Sequence, residues 1–382
     1  MKALYWRPQR ISLKAVFVVT FVAFCGFAAV ETFRVEERQP YHGQKMRAAR
    51  TALEAFRVLK EARLARGLAV DVETDPSSSG LVGELISPVT TNTGHLPSKQ
   101  TSINPNFAAV VVEMLRKAGV REGDSVAVGM SGSFPALNVC VLSALHTLRL
   151  RPLVISSAGS SQWGANHPDF TWLDMEVALA EHGVLPYRSL AVSPGGIDDR
   201  VLGLSRRGRE LIDQALERSG LPAVRPKSYA DSLDQRMAAY DEHGAEGEIR
   251  AYVNVGGGTT SVGTRVGKQL FKPGLNTSMP RGPLIDSVMA RFASRGVPVI
   301  HLTKIDDLAA RHGLPLQPPA TPAVGEGTIF VRASYSRWLV AAVLLLLVVT
   351  LVAVLRHDLG HRLLTASRRE ASPTRATPEP MV

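Results

Sequence analysis

Cysteine is nearly missing from this chain. Cys25 and Cys140 are the only two in 382 residues. No Cys-x-x-Cys or Cys/His spacing of the metal-binding type can be written, so a zinc ribbon, a finger or a dithiol redox centre is excluded on sequence alone. Cys25 lies within an apolar run and Cys140 within a helical pattern, so geometry argues against a disulfide between them. Cys140 reads as a small buried hydrophobe. Aromatic residues are also scarce at 6%, and no run of lysines and arginines interleaved with aromatics occurs in the body of the chain. The net charge of +10 therefore does not imply nucleic-acid binding. Its distribution explains it better. Residues 1–14 carry Lys2, Arg7, Arg10 and Lys14 with no acid, while residues 356–382 carry five arginines against Asp358, Glu370 and Glu379.

Each basic end adjoins an apolar run. Residues 11–30 hold one charge, Lys14, and residues 338–355 hold none. Eighteen apolar residues make about 27 Å of helix, near the thickness of a bilayer core. A cleaved signal peptide at the first run and a buried core helix at the second are the competing readings. The first lacks a clear small-x-small cleavage site, Gly26-Phe27-Ala28 being the nearest approach, and the second is apolar on every face. Two membrane spans are expected. With positive flanks outside both, the termini at 1–10 and 356–382 are expected in the cytoplasm and everything between the spans outside it.

Between the spans, strand and helix patterns alternate. Residues 31–80 read as a membrane-proximal amphipathic helix (Gln44 to Arg66) and a linker, residues 81–313 as an extracytoplasmic α/β domain, and residues 314–337 as a proline-rich linker. The tail after Arg368 reads as disordered. The spacing predicts a strand at 126–128, a small-residue turn Gly129-Met130-Ser131-Gly132-Ser133, a helix over 134–148 with Ser133 as its cap, and a second buried strand at 152–156. A strand, a Gly/Ser turn and a helix in this order place backbone N–H groups and hydroxyls at one sheet edge, where open α/β folds bind ligands. The expected fold is Rossmann-like: a mainly parallel sheet with helices on both faces, and one transmembrane helix at each end.

Three loops supply the candidate ligand-binding residues. The first turn offers Ser131, Gly132 and Ser133, the loop 156–161 offers Ser160 and Ser161, and the turn after the strand 249–255 offers Gly256, Gly257, Gly258, Thr259 and Thr260. The segment 81–105, rich in Thr, Ser and Asn, adds Lys99, His95 and Gln100; Pro88, Gly94 and Pro97 predict that it forms no helix. Arg265 is a further source of positive charge. Gly129-x-Ser131-x-Ser133 approaches the nucleophile elbow Gly-x-Ser-x-Gly, with Ser133 in place of the last glycine. That makes Ser131 a candidate nucleophile, with His95, His167 and His301 as possible bases. Asn254-Val-Gly-Gly-Gly-Thr-Thr resembles the phosphate turn of actin- and hexokinase-like ATPases, but Asn254 replaces the metal-holding acid. No second phosphate loop accompanies it, so no nucleotide cofactor is expected. His167, Asp174 and Glu176 lack a metal-ligand spacing, and carboxylates at the positive end of a helix explain the two acids without metal.

Taken together, the blocks 83–109 (GELISPVTTNTGHLPSKQTSINPNFAA), 126–138 (VAVGMSGSFPALN), 155–176 (ISSAGSSQWGANHPDFTWLDME) and 253–263 (VNVGGGTTSVG) resemble the poly-gamma-glutamate system protein family. The resemblance implies a two-span protein of the bacterial cytoplasmic membrane, acting beside the other membrane components of the poly-γ-glutamate synthesis and export machinery. It carries over no catalytic residue. It implies an accessory that binds the anionic polymer or its partner subunits; the alternative is an extracytoplasmic serine-type hydrolase or transferase acting on the polymer.

Overall fold

The computed structural model describes residues 13–244, 248–263, 265–282 and 285–356, apart from the side chains at 14, 265, 266, 268, 355 and 356. The basic segment expected at 1–10 and the tail beyond 356 lie outside the described residues. Two compact units are present: residues 38–331, and a smaller one made of the flanking segments.

In the smaller unit, α1 (Leu13–Thr32) is followed by strand β1 (Arg34–Arg38). The larger unit begins with α2 (His42–Ala65), β2 (Thr90–Asn92), α3 (Leu96–Ser102) and α4 (Phe107–Lys117). Next come β3 (Ser125–Ser131), α5 (Pro135–Thr147), β4 (Arg151–Ser157) and the short strands β5 (Ser160–Ser161), β6 (Asn166–His167) and β7 (Phe170–Thr171). Then follow α6 (Trp172–Glu181), β8 (Ala191–Ser193), α7 (Arg206–Ser219), α8 (Tyr229–Gly244) and β9 (Ile249–Val255). The unit closes with α9 (Thr259–Val262), α10 (Arg265–Leu270), β10 (Gly274–Asn276), α11 (Val288–Ser294), β11 (Val299–Leu302) and α12 (Ile305–Arg311). Strand β12 (Val331–Tyr335), which pairs with β1, and α13 (Arg337–Arg356) complete the smaller unit.

Six strands form one sheet in the order β10-β11-β9-β3-β4-β8, parallel except for β10 against β11. The protein is thus mixed α/β. Strand side chains alternate between the faces, and the core divides accordingly. Val126, Val128, Val154, Val253 and Ile300 join a large cluster with α2, α4, α5, α6 and α12, whereas Ala127, Leu153, Ile155, Tyr252 and Val299 join a smaller one with α8 and α11. Both faces of β3 and β9 are buried, which is why they read as continuous apolar runs.

Several expectations need correction. Residues 96–102 are helical despite Pro97, because the proline occupies the first turn, where its missing N–H goes unused. Ser133 does not cap α5: the cap position is Phe134, with no side-chain bond, and Ser133 Oγ accepts from the Ser161 amide instead, at 3.1 Å. The amphipathic helix expected over 44–66 is α2, which buries an alanine face (Ala48, Ala49, Ala52, Ala55) with Phe56 and Leu59 against α4 and α5, while Leu64 near its end is 49% exposed. Asp174 caps α6 by accepting from the Thr171 amide and hydroxyl, as a helix-start carboxylate should. Glu176 is buried, accepting from Ser189 N and Oγ at 2.8 Å each; burial raises its carboxyl above the usual range.

In the smaller unit, α1 and α13 contain 18-residue windows of mean hydropathy 2.0 and 2.6 that are 11% and 0% buried, so both are long and apolar enough to cross a membrane. They touch at Gly26, where an added Cβ would stand 2.5 Å from Val343 Cγ1. A small residue at a close helix crossing is a common device between membrane helices.

Candidate functional site

Chain connectivity locates the site. From β3 the chain moves outward to β4 and β8, then returns through α7 and α8 to β9 on the other side of β3, and continues to β11. The strand order reverses between β3 and β9, and in open α/β sheets the carboxyl ends at such a reversal are left uncovered by crossovers. A cleft of about 610 Å³ opens there. It is lined by the ends of β3, β4, β9 and β11 together with the segments 91–99 and 195–199.

The three loops singled out in the sequence do converge. Ser131, Ser133, Ser161, Gly256, Gly257, Gly258, Thr259, Thr260 and Lys99 all line the cleft, as does His95. Gly132 and Ser160 lie behind the lining. Ser160 is fully buried with its hydroxyl on the Ser161 carbonyl, and a Cβ on Gly132 would stand 3.1 Å from Ser160 Cβ. Gln100 turns away to donate to the Thr74 carbonyl at 3.0 Å. The Arg265 side chain lies outside the described ones.

Lys99 is the most unusual group here. It is 3% exposed; its Nζ donates to Ser161 Oγ at 2.8 Å and to the Ser133 carbonyl, and sits 3.9 Å over the Phe134 ring centre. No described carboxylate neutralises it, and burial pushes its ammonium down to about 7 from 10.5. The helix bearing it is pinned by Asp306 in α12, which accepts from Ser98 Oγ at 2.6 Å and Thr101 Oγ1 at 2.7 Å. A titration signature follows. Between about pH 7 and 10.5 the unfolded chain holds the Lys99 proton and the folded one does not. Stability should therefore rise with pH across that window and level off below 7. Thermal melts at pH 7 and 9 check this: the rise should shrink in Lys99→Met, and an unchanged rise would remove Lys99 as its source.

Among the described residues Ser131 has no imidazole for a partner. Its hydroxyl donates to the Val255 carbonyl at 3.3 Å. The three histidines considered as bases bond elsewhere: His95 to Ser98, His167 to the Asp169 amide and His301 to Asn254. Asn254 is buried behind the glycine turn, and its amide donates to the Gly256 carbonyl at 2.7 Å. It shapes the turn rather than facing the cleft. Of the three glycines, Gly256 is the one with positive φ, +90°, and a side chain there would meet Ser131 Oγ.

Sequence reasoning missed the cleft floor. Asp199 and Arg236 lie 37 residues apart and are both almost fully buried. Arg236 Nη2 donates to Asp199 Oδ1 at 2.9 Å and to Ser193 Oγ at 2.7 Å, and Ser232 Oγ donates to Asp199 at 2.7 Å. Burial works against the Asp199 charge, but the guanidinium and the hydroxyls outweigh it and hold the carboxyl below its usual range. Among the described residues Asp199 is the one carboxylate lining the cleft and Arg236 neutralises it, which leaves Lys304 as the lasting positive charge of the lining, since Lys99 titrates near 7. No described carboxylate pairs with Lys304, which is exposed at the rim. The chain matches no family model, no curated protein and no solved structure.

Proposed function

We propose that this is a two-span bacterial membrane protein with a Rossmann-like outer domain that binds an anionic, carboxylate-bearing chain. Poly-γ-glutamate, emerging from its synthesis and export machinery, is the ligand we assign. The observation that carries the reading is the cleft: hydroxyls, glycine backbone, the Lys99 amine and the rim cation Lys304 line it, and its one described carboxylate is already neutralised. A γ-linked glutamate chain presents one α-carboxylate per residue. Such carboxylates are matched by neutral hydroxyl donors and a few cations. The four sequence blocks that resemble the poly-gamma-glutamate system family each supply residues of the cleft lining, which favours this ligand over other polyanions. The basic ends and the two apolar helices favour a body outside the cytoplasm. The other membrane components of the machinery and the lipid bilayer are then its partners.

Two measurements test the reading. Reporter fusions after Val30 and before Trp338 should both report the outer side, while fusions at the termini report the cytoplasm; a cytoplasmic body would reopen the nucleotide reading of Gly256–Gly258. In calorimetric titration of the full chain in detergent with poly-γ-glutamate oligomers, Ser131→Ala should weaken binding only several-fold. One neutral hydrogen bond is worth about 1 kcal/mol. Lys304→Glu reverses a rim charge and should weaken binding more, with a loss that fades in high salt. An oligomer that fails to bind the wild-type chain refutes the assignment. Deleting the gene and measuring polymer yield and chain length separately distinguishes an accessory from a depolymerase. Lost yield fits the accessory; longer chains at normal yield fit the hydrolase.

A further inference from the structure

Two cleft serines lie against a nitrogen base, and neither is the serine of the elbow-like turn: Ser98 Oγ, 2.9 Å from His95 Nδ1, gives its proton to Asp306, which leaves Ser161. Ser161 Oγ lies 2.8 Å from Lys99 Nζ, within reach for proton transfer. The remaining contacts of the pair fix their roles. A neutral lysine amine has two N–H bonds and one lone pair. The Ser133 carbonyl takes one N–H, so the amine can turn its lone pair to the Ser161 hydroxyl without giving up that bond, and the hydrogen bond between the two then reverses direction. Ser161 is held on its own side. It belongs to β5, which pairs in parallel with β2, and its amide donates to Ser133 Oγ. Both residues line the cleft, so an acyl group bound there can reach the hydroxyl.

We infer that Ser161 and Lys99 form a nucleophile–base pair that acts on acyl compounds, amides or esters. The amine takes the hydroxyl proton as Ser161 Oγ bonds to the acyl carbon, and the carbonyl π pair moves onto oxygen. The tetrahedral adduct then collapses, breaking the bond to the leaving amine or alcohol, which receives the proton from the Lys99 ammonium. Water attacks the acyl-serine with the amine again as base, releasing a carboxylic acid and restoring the hydroxyl. In sum, one amide or ester and one water give one acid and one amine or alcohol. The desolvation that brings Lys99 down to about 7 supports this, because a lysine serves as a base only once it has lost its proton. Assigning the amide to the poly-γ-glutamate backbone rests on the function proposed above; the pairing itself does not.

The test uses the full-length protein in detergent and an alkyl fluorophosphonate, which phosphonylates activated serines with loss of fluoride. Peptide mass spectrometry should find the adduct on Ser161, absent in Ser161→Ala and retained in Ser131→Ala. The labelling rate should rise through a midpoint near pH 7. It should fall about 10²–10⁴-fold in Lys99→Met, and Lys99→Arg should not restore it, because a guanidinium is no base at these pH values. The wild-type pH profile keeps the test decisive if the Lys99 variants do not fold. No adduct at pH 9, an adduct on another serine, or a rate independent of pH between 6 and 9 overturns the pairing. Titration with poly-γ-glutamate oligomers runs beside it. Binding without labelling removes the nucleophile and spares the polymer; labelling without binding does the reverse.

Discussion

Replacing Arg236 by alanine should destabilise the larger unit by about 3–5 kcal/mol, because it strands a buried carboxylate without its countercharge. Asp199 is 3% exposed; with Arg236 gone it keeps only the hydroxyls of Ser193 and Ser232. Hydroxyls solvate a carboxylate but do not neutralise it. The carboxyl should then titrate upward, so that the variant loses stability as pH rises through the new value, where the wild type does not. A loss of that size is a large fraction of the total for an ordinary domain, so partial unfolding at growth temperature is expected. Thermal or denaturant melts at pH 5 and 8 measure it. The double variant Asp199→Asn with Arg236→Met should recover much of the loss, since a buried pair replaced by neutral groups of similar volume is often tolerated. A single-variant loss below about 1 kcal/mol would mean that Asp199 is not charged in the fold.

Gly164→Ala should be nearly as damaging and should act on the cleft directly. A Cβ there would stand 2.2 Å from Ser160 Oγ, 2.7 Å from the Gly132 carbonyl and 2.8 Å from Ser133 Cα. Two of the three are backbone or Cα atoms that cannot swing aside. The β5 loop must back away from the turn before α5, which pulls Ser161 from Ser133 and Lys99. Overpacking of this kind costs about 1–3 kcal/mol. Fluorophosphonate labelling and oligomer binding should fall together, with a lowered melting temperature. Gly258→Ala is the control. It has φ −58° and nothing within 4 Å of the added methyl, so it should fold and melt as the wild type does. Equal damage from both would show that the cleft tolerates no side chain anywhere on its lining, and that the approach of Gly164 to Gly132 is not special.

These variants also mark where sequence was informative. The unit β3–turn–α5–β4 and the strand β9 were readable because a strand buried on both faces must be a continuous apolar run, and the turn after it must be small. Convergence of the three loops followed from the rule that parallel strands deliver their carboxyl ends to one edge. The pairing of Asp199 with Arg236 was not readable, since it joins a left-handed loop residue to the middle of a helix, and each alone reads as surface charge. Ser161 was recognised only as a hydroxyl. What turns it into a candidate nucleophile is Lys99, 62 residues away, on a helix that Pro97 seemed to forbid. A capping role for Ser133 was chemically reasonable, but the Ser161 amide competes for the same oxygen and takes it.

The larger unit begins and ends at one place: the Gln39 amide donates to the Phe330 carbonyl at 2.9 Å, across almost the whole length of the domain. Topologically it is an insertion, nearly three hundred residues spliced into a short helical hairpin. While that insertion is unfolded, bringing its two ends together costs about 5 kcal/mol of chain entropy, scaling as (3/2)RT ln n. Once it folds, its ends are held together and the cost is gone. Folding of the domain therefore favours the meeting of the two helices at Gly26. A lesion that slows folding of the domain should therefore also slow the pairing of these two helices.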